Sequence, residues 1–164
     1  MSVQLIERIQ QLDNNKAIRL LEQFAARIFE GMETPMDEML NGVIPEVKDT
    51  AFFQQALSLS EAEQSRPLPE HQSAEIARAL LLTFAQDPAM APALAQTLHE
   101  YKDDQLMVGA ILATGVAVSM IIVAATTRLQ VKIGDGEIIK DAASEGQLKA
   151  LLGALPKLFS TILT

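Results

Sequence analysis

Apolar residues in the first hundred positions recur every three or four residues, the spacing that one buried face of a helix requires. The clearest run consists of Ala17, Leu20, Leu21, Phe24, Ala25 and Ile28. Asp13-Asn14 supplies a side-chain cap before this run, and Gly31 supplies a stop after it. We therefore predict a helix between these two signals, with Leu21, Phe24 and Ile28 in the core.

Further start and stop signals divide residues 1–105 into five or six short helices. Thr34-Pro35 opens a short helix that runs to Leu40, because Pro is favoured at the first helical position. Ser60 and Glu63 have the spacing of a capping box. The remaining predicted helices lie around residues 50–57, between about residue 70 and Asp87, and around residues 90–101.

Residues 106–127 form an apolar segment of twenty-two residues without a charge, a Pro, an Asn or a Gln. As one helix it would be about 33 Å long at about 1.5 Å per residue, enough to cross a hydrocarbon core of about 30 Å. Asp103-Asp104 precedes the segment, and Arg128 follows it. The segment therefore predicts one long apolar helix that spans a membrane.

The sequence leaves two alternative structures open for this segment. A fully buried central helix of a soluble bundle would also be apolar on all sides, and Val and Ile would pack equally well as buried strands. The basic residues Arg128 and Lys132 favour a cytoplasmic tail. That orientation would require export of the residues before the segment, which begin with no signal-like stretch. This conflict supports a buried helix, or a helix that inserts only when triggered.

The tail changes to a period of two. Leu129, Val131 and Ile133 alternate with polar residues, and Glu137–Lys140 resumes the extended pattern after Gly134-Asp135-Gly136. Two such runs around a Gly-rich turn predict a β-hairpin. Ser144 and Gln147 then cap a helix with a leucine face, formed by Leu148, Leu151, Leu152 and Leu155. The predicted fold is mainly α, with an acidic helical domain (1–105), the apolar helix (106–127) and this hairpin-and-helix tail (128–164).

Small residues on the apolar segment favour self-association. Gly109, Ala113 and Ala117 recur every four residues, and Gly115 with Ser119 forms a second small pair on another side. Small residues at this spacing allow membrane helices to approach closely. We therefore expect a homo-oligomer whose helix-association face comprises these five residues.

Charge and composition give little support to catalysis. The chain has a net charge of −8, and residues 1–105 carry eight basic and seventeen acidic side chains, so nucleic acid is not an expected partner. There is no Cys, which excludes a thiolate metal site and a Cys nucleophile. His71 and His99 lie on different predicted helices, and Gly134-Asp135-Gly136 lacks the ligands of a metal or phosphate loop. No catalytic residue, metal site or cofactor is predicted.

The last third of the chain resembles a known family. An uncharged membrane helix, a basic step at Arg128, two strands around Gly134-Asp135-Gly136 and a Leu-rich helix at Gln147–Leu155 look like the small effector-associated membrane components of bacterial conflict (antiphage defence) systems. The resemblance covers about fifty residues and does not include the acidic head. It implies a defence role in which a membrane helix is the effector or its anchor, and it implies no catalytic residues.

These observations together predict a membrane-associated effector or anchor of a bacterial defence system that perturbs the inner membrane or forms a pore in it. The protein would reside at the inner membrane, or in the cytoplasm until it is triggered to insert. In the resting state the head and tail would shelter the apolar helix until a protein trigger or regulator releases it to bind membrane lipid and self-associate. The alternative is a soluble helical adaptor for protein–protein interaction, in which the apolar helix is simply the core.

Overall fold

The computed structural model describes residues 2–101, 112–134 and 136–140. The first of these ranges contains α1 (Ser2–Gln11), α2 (Asn14–Gly31), α3 (Met36–Asn41), α4 (Pro45–Lys48), α5 (Ala51–Leu57), α6 (Glu61–Ser65), α7 (Glu70–Ala85) and α8 (Ala91–Glu100). The other two contain α9 (Thr114–Ala125) and the strands β1 (Leu129–Ile133) and β2 (Gly136–Lys140). The prediction of a mainly helical fold with an antiparallel hairpin is confirmed.

The helical region has more helices than the sequence indicated. Eight helices, not five or six, lie within residues 2–101. The additional ones include α1, which buries Leu5 and Ile9, and the four-residue α4, which begins at Pro45. Helix α4 has only one buried residue, Val47, so a period of three or four residues cannot be recognised in it. Helix α1, in contrast, does carry apolar residues at helical spacing, in Leu5, Ile6 and Ile9.

Helix α2 is the centre of the helical region and follows its predicted signals. The Asp13 carboxylate accepts a hydrogen bond of 2.8 Å from the backbone N–H of Lys16 at the start of the helix. The predicted core residues Leu21, Phe24 and Ile28 are completely buried. The Phe24 ring meets Phe84 of α7 edge to face, with 5.4 Å between ring centroids. The prediction of this amphipathic face is confirmed.

The capping box at the start of α6 is also present. The backbone N–H of Glu63 donates to the Ser60 hydroxyl at 3.2 Å, and the N–H of Ser60 donates to the Glu63 carboxylate at 3.3 Å. This exchange satisfies two backbone donors at a helix start. It stabilises a helix of only five residues, which packs against α9.

The apolar segment differs from its prediction as one helix over 106–127. Ala113 has an extended backbone (φ −73°, ψ 143°), and α9 begins only at Thr114. The chain is held extended here because the N–H of Leu68 donates to the carbonyl of Leu112 at 2.9 Å and Ala113 pairs with Pro67 as an isolated β-bridge. Residues 106–111 lie outside the described residues. Among those described, no helix is both long enough and apolar enough to cross a membrane.

The predicted hairpin is present, and the apolar side of β1 faces the core as predicted. Leu129, Val131 and Ile133 are buried, and β1 pairs with β2 so that Val131 faces Ile138. Gly134 begins the connection with a positive φ of 56°, which glycine adopts without strain. Asp135 of the predicted turn and the predicted helix at Gln147–Leu155 lie outside the described residues.

The hairpin approaches α2 at a glycine. Gly31 is the last residue of α2, and a Cβ atom at this position would overlap the backbone carbonyl of Lys132 in β1. The next residues continue the contact, because the N–H of Glu33 donates to the carbonyl of Gln130 at 2.8 Å. Gly31 therefore ends the helix, as predicted, and also permits the close packing of β1.

We expect Gly31→Ala to lower the free energy of unfolding by about 1–3 kcal/mol, because a backbone atom must move to admit the methyl group. Gly136→Ala is the matched control, since its Cβ would meet only the Ile133 carbonyl at an ordinary 3.5 Å. Chemical denaturation of both variants provides the measurement. Equal stabilities would contradict the packing role of Gly31.

Candidate functional site

Helix α9 carries the residues that the sequence singled out for association, and the structure distributes them differently. Ala113 precedes the helix and is partly exposed, whereas Ala117 is completely buried in the core. Gly115 and Ser119 are partly exposed on a side that faces α6. Gly109 lies outside the described residues. Self-association through these residues stays a prediction.

The second small pair lies beside α6 of the same chain. A Cβ added to Gly115 would come within 3.1 Å of the Gln64 Cβ and 3.2 Å of its carbonyl oxygen. Ser119 lines the same shallow depression, together with Glu61 and Phe29. Small side chains on α9 thus allow a close helix approach, but the helix that approaches belongs to the same chain.

Both backbone ends of α9 obtain hydrogen-bond partners from other elements. At the start, the backbone N–H and the hydroxyl of Thr114 both donate to the carbonyl of Arg66, at 3.0 and 2.7 Å. Just before it, the N–H of Leu112 donates to the hydroxyl of the buried Ser73 at 3.2 Å. Such partners are required because helix ends leave backbone groups unsatisfied, which is costly in the interior.

The last four carbonyls of α9 are all satisfied. The carbonyl of Ile122 accepts from the N–H of Thr126 at 2.9 Å, and that of Ala125 accepts from the N–H of Ile44 at 3.2 Å. The two between them, at Val123 and Ala124, accept from the ammonium group of Lys140 at 3.3 and 2.6 Å. A cation at this position also interacts favourably with the negative end of the helix dipole.

Lys140 is the last residue of β2 and is only 2% exposed. Its ammonium group lies 3.4 Å from one carboxylate oxygen of Asp87, a residue that is 3% exposed. The other Asp87 oxygen accepts from the N–H of Ala89 at 2.9 Å, in the turn before α8. One buried ion pair therefore joins β2, the α7–α8 connection and the end of α9.

Burial changes the acidity of Lys140. Desolvation lowers the pKa of its ammonium group from 10.5 to about 8, and the negative charge of Asp87 opposes this effect. Elsewhere, burial raises the pKa of Glu22 on α2, against the charge of Arg19. Hydrogen bonds from Arg27 and Gln96 lower the pKa of Glu100 at the end of α8.

Neither Lys140 nor Asp87 stands out in the sequence as a functional residue. The alternating pattern predicts a strand at Lys140, which is the last residue of β2, and Asp87-Pro88 predicts a helix end, two residues after the last residue of α7. One signal was present: in a strand, Lys140 shares a side with Ile138, and that side is the buried one. The period of two that predicted the hairpin therefore also placed a lysine facing the core.

A groove of about 390 Å³ lies between β2 and α8. One wall consists of small apolar residues of α8 and its preceding turn, including Ala89, Pro92 and Ala93. The other wall is β2, where the inward Ile138 and the outward Ile139 both line the groove. Because residues from both faces of the strand take part, the groove follows the edge of β2.

The edge of β2 beside this groove is not paired with a strand in the described part of the chain. The sheet has the order β1–β2, and β1 uses its other side to contact residues 32–34. Ile139, beside the groove, is 59% exposed. The groove thus combines backbone hydrogen-bonding groups with walls that are apolar apart from Gln96 and Glu137, an arrangement that suits an extended peptide.

Neither histidine of the chain lies in a group of metal-ligating side chains within the described residues. His71 and His99 are both exposed, and His71 lies 3.5 Å from Glu75 one helical turn away. No group of three or more metal-ligating side chains occurs within the described ranges. No protein-family model, curated protein or solved structure matches the chain. The resemblance to conflict-system components stays a prediction from the tail residues.

The lowered pKa of Lys140 predicts a pH dependence of stability. Between pH 8 and 10.5 the unfolded chain retains a proton that the folded chain has lost, so this group makes the folded state more stable as pH rises. We expect a gain of roughly 1–3 kcal/mol across this window. Chemical denaturation at several pH values, on the parent and on Lys140→Met, gives the measurement. An identical pH profile for both proteins would contradict the assignment.

Proposed function

We propose that this protein is a helical adaptor that binds a partner protein and catalyses no reaction. The observation that carries the proposal is the groove between β2 and α8, with a strand edge on one side and a small-residue helix wall on the other. The apolar helix α9 serves as the core of the adaptor, since most of its side chains are buried.

The groove suits an extended segment of the partner. Such a segment would add to the edge of β2 by backbone hydrogen bonds, and these provide affinity irrespective of sequence. Selectivity would come from side chains that alternate along the segment. Those directed at Pro92 and Ala93 would be apolar, whereas a side chain directed at Gln96 or Glu137, which also line the groove, would be polar or basic. Ile139 would provide apolar contact from the strand side.

The test is selection of displayed peptides against the whole protein, followed by affinity measurement on variants. We expect Ile139→Lys to weaken binding about tenfold or more, because it places a charge in the apolar contact. Leu57→Lys is the matched control, since Leu57 is also a large apolar residue with an exposed side chain and lies on α5, which does not line the groove. Amide shifts on peptide binding are expected in β2 and α8.

Three results would contradict this proposal. The first is that the selected peptides bind the Ile139→Lys variant as tightly as the parent. The second is that the amide shifts on binding fall outside β2 and α8. The third is that chemical crosslinks placed beside Pro92 connect the groove only to residues 141–164 of the same chain.

A second candidate function is triggered membrane association, the function predicted first from the sequence. In this proposal the acidic head (1–105) and the tail (128–164) cover the apolar segment (106–127) until a protein trigger releases it into the inner membrane. The supporting observation is that α9 has no charged side chain and no polar face, so it would be apolar on every side once released. A defence role would rest on the resemblance of the tail alone.

Flotation with vesicles of bacterial phospholipid tests the second candidate. Ser119→Glu adds a charge to α9 at a partly exposed position, and it should reduce membrane association because a buried charge costs about 2.5–3.5 kcal/mol on insertion scales. Gln55→Glu adds the same charge to the exposed surface of α5 and serves as the control. Equal flotation of both variants would exclude insertion of α9.

A further inference from the structure

We propose that residues 147–164 of the chain dock on the α9 depression, a surface between three helices. This depression is lined by Glu22 and Phe29 of α2, Glu61 of α6, and Gly115, Val116 and Ser119 of α9. The docking segment belongs to this chain and lies outside the described residues. Its docking requires neither a partner in the groove nor insertion into a membrane.

The α9 depression is a gap in the cover that the described residues give to α9. Every residue from Met120 to Ala125 is buried, whereas Gly115, Val116 and Ser119 are partly exposed. These three line a cavity of about 450 Å³, which adjoins a second cavity of about 350 Å³. Phe29 lines both cavities and is 38% exposed. A further apolar element on this surface would remove an aromatic ring and the start of an apolar helix from water.

The charged residues that line the α9 depression are acidic. Glu61 lines the larger cavity and Glu22 the smaller one, and no described lining residue is basic. Burial raises the pKa of the Glu22 carboxyl group, and the charge of Arg19 opposes this effect. An occupant with apolar side chains at its centre and positive charges at its edges is therefore complementary to this surface.

Residues 147–164 have the composition that this surface requires. They include Lys149 and Lys157 and contain no Asp or Glu. An apolar face at helical spacing is formed by Leu148, Leu151, Leu152 and Leu155. An amphipathic helix that lays its apolar face into an apolar groove is a recurring mode of recognition. The segment therefore matches the α9 depression in both apolarity and charge.

The segment is also within reach of the α9 depression. Strand β2 ends at Lys140, whose ammonium group donates to the carbonyl of Ala124 at 2.6 Å. Ser119 precedes Ala124 by five residues, which corresponds to about 7.5 Å along the helix axis. The six residues 141–146 can extend to about 20 Å. This short connection gives the segment a high effective concentration at the depression of its own chain.

Disulfide formation in the full chain tests the docking, because the chain has no native Cys. We expect Ser119→Cys and Leu151→Cys to form a disulfide within one chain under air oxidation. Ala150→Cys is the matched control for Leu151→Cys, since it lies on the opposite side of the predicted helix, and it should react about tenfold or more slowly. Gln96→Cys lines the groove between β2 and α8, and with Leu151→Cys it should be equally slow.

Reversal of the two lysine charges tests the electrostatic match. Lys149→Glu with Lys157→Glu should slow the disulfide between positions 119 and 151 about threefold or more, because the segment is then repelled by the carboxylates of the α9 depression. This comparison and the Ala150→Cys control share Ser119→Cys, so an effect of that substitution on folding cancels. An equal rate for either control, a disulfide between two chains or an unchanged rate after charge reversal would each overturn the proposal. So would the absence of the expected disulfide.

Discussion

The backbone ends of α9 impose the constraint on which the arrangement of the described residues depends. A helix that is apolar on all sides is easily buried, but its terminal N–H and carbonyl groups must then find partners inside the protein. Arg66 supplies an acceptor at one end, while Ile44 and Lys140 supply donors at the other. These partners come from three distant parts of the sequence. Burying α9 therefore positions the connections before α7 and α4 and the hairpin together.

Elements specified by near neighbours were predictable from the sequence. The helix from Asp13 to Gly31, the capping box at Ser60 and the hairpin all depend on residues within a few positions of one another. The extended backbone at Ala113 depends instead on pairing with Pro67. Nothing in an uninterrupted apolar segment signals such a pairing, so hydrophobicity alone indicated one continuous helix. Tertiary contacts override local preference here.

The candidate site, too, combines features that nearby residues indicate with features that depend on contacts between distant parts of the chain. Small residues at Gly115 and Ser119 indicated a close helix approach, and such an approach exists, but α6 supplies the surface. The spacing of small residues indicates that another backbone approaches closely. It does not indicate whether that backbone belongs to the same chain or to a second copy. Lys140 was overlooked because lysines are almost always exposed. Its strand position beside Ile138 was the better guide, since alternation determines which side of a strand is covered.

The two functional proposals share one physical origin. The apolarity that makes α9 a core helix would also favour its transfer into a membrane once it was uncovered, because both environments remove the same side chains from water. What distinguishes them is the free energy needed to uncover the helix. That free energy includes the burial of nine side chains of α9 and, at its C-terminal end, the two hydrogen bonds that the ammonium group of Lys140 donates to carbonyls. The attraction within a buried ion pair offsets only part of its desolvation cost, so the Lys140–Asp87 contact contributes less to this free energy than the apolar side chains of α9 do.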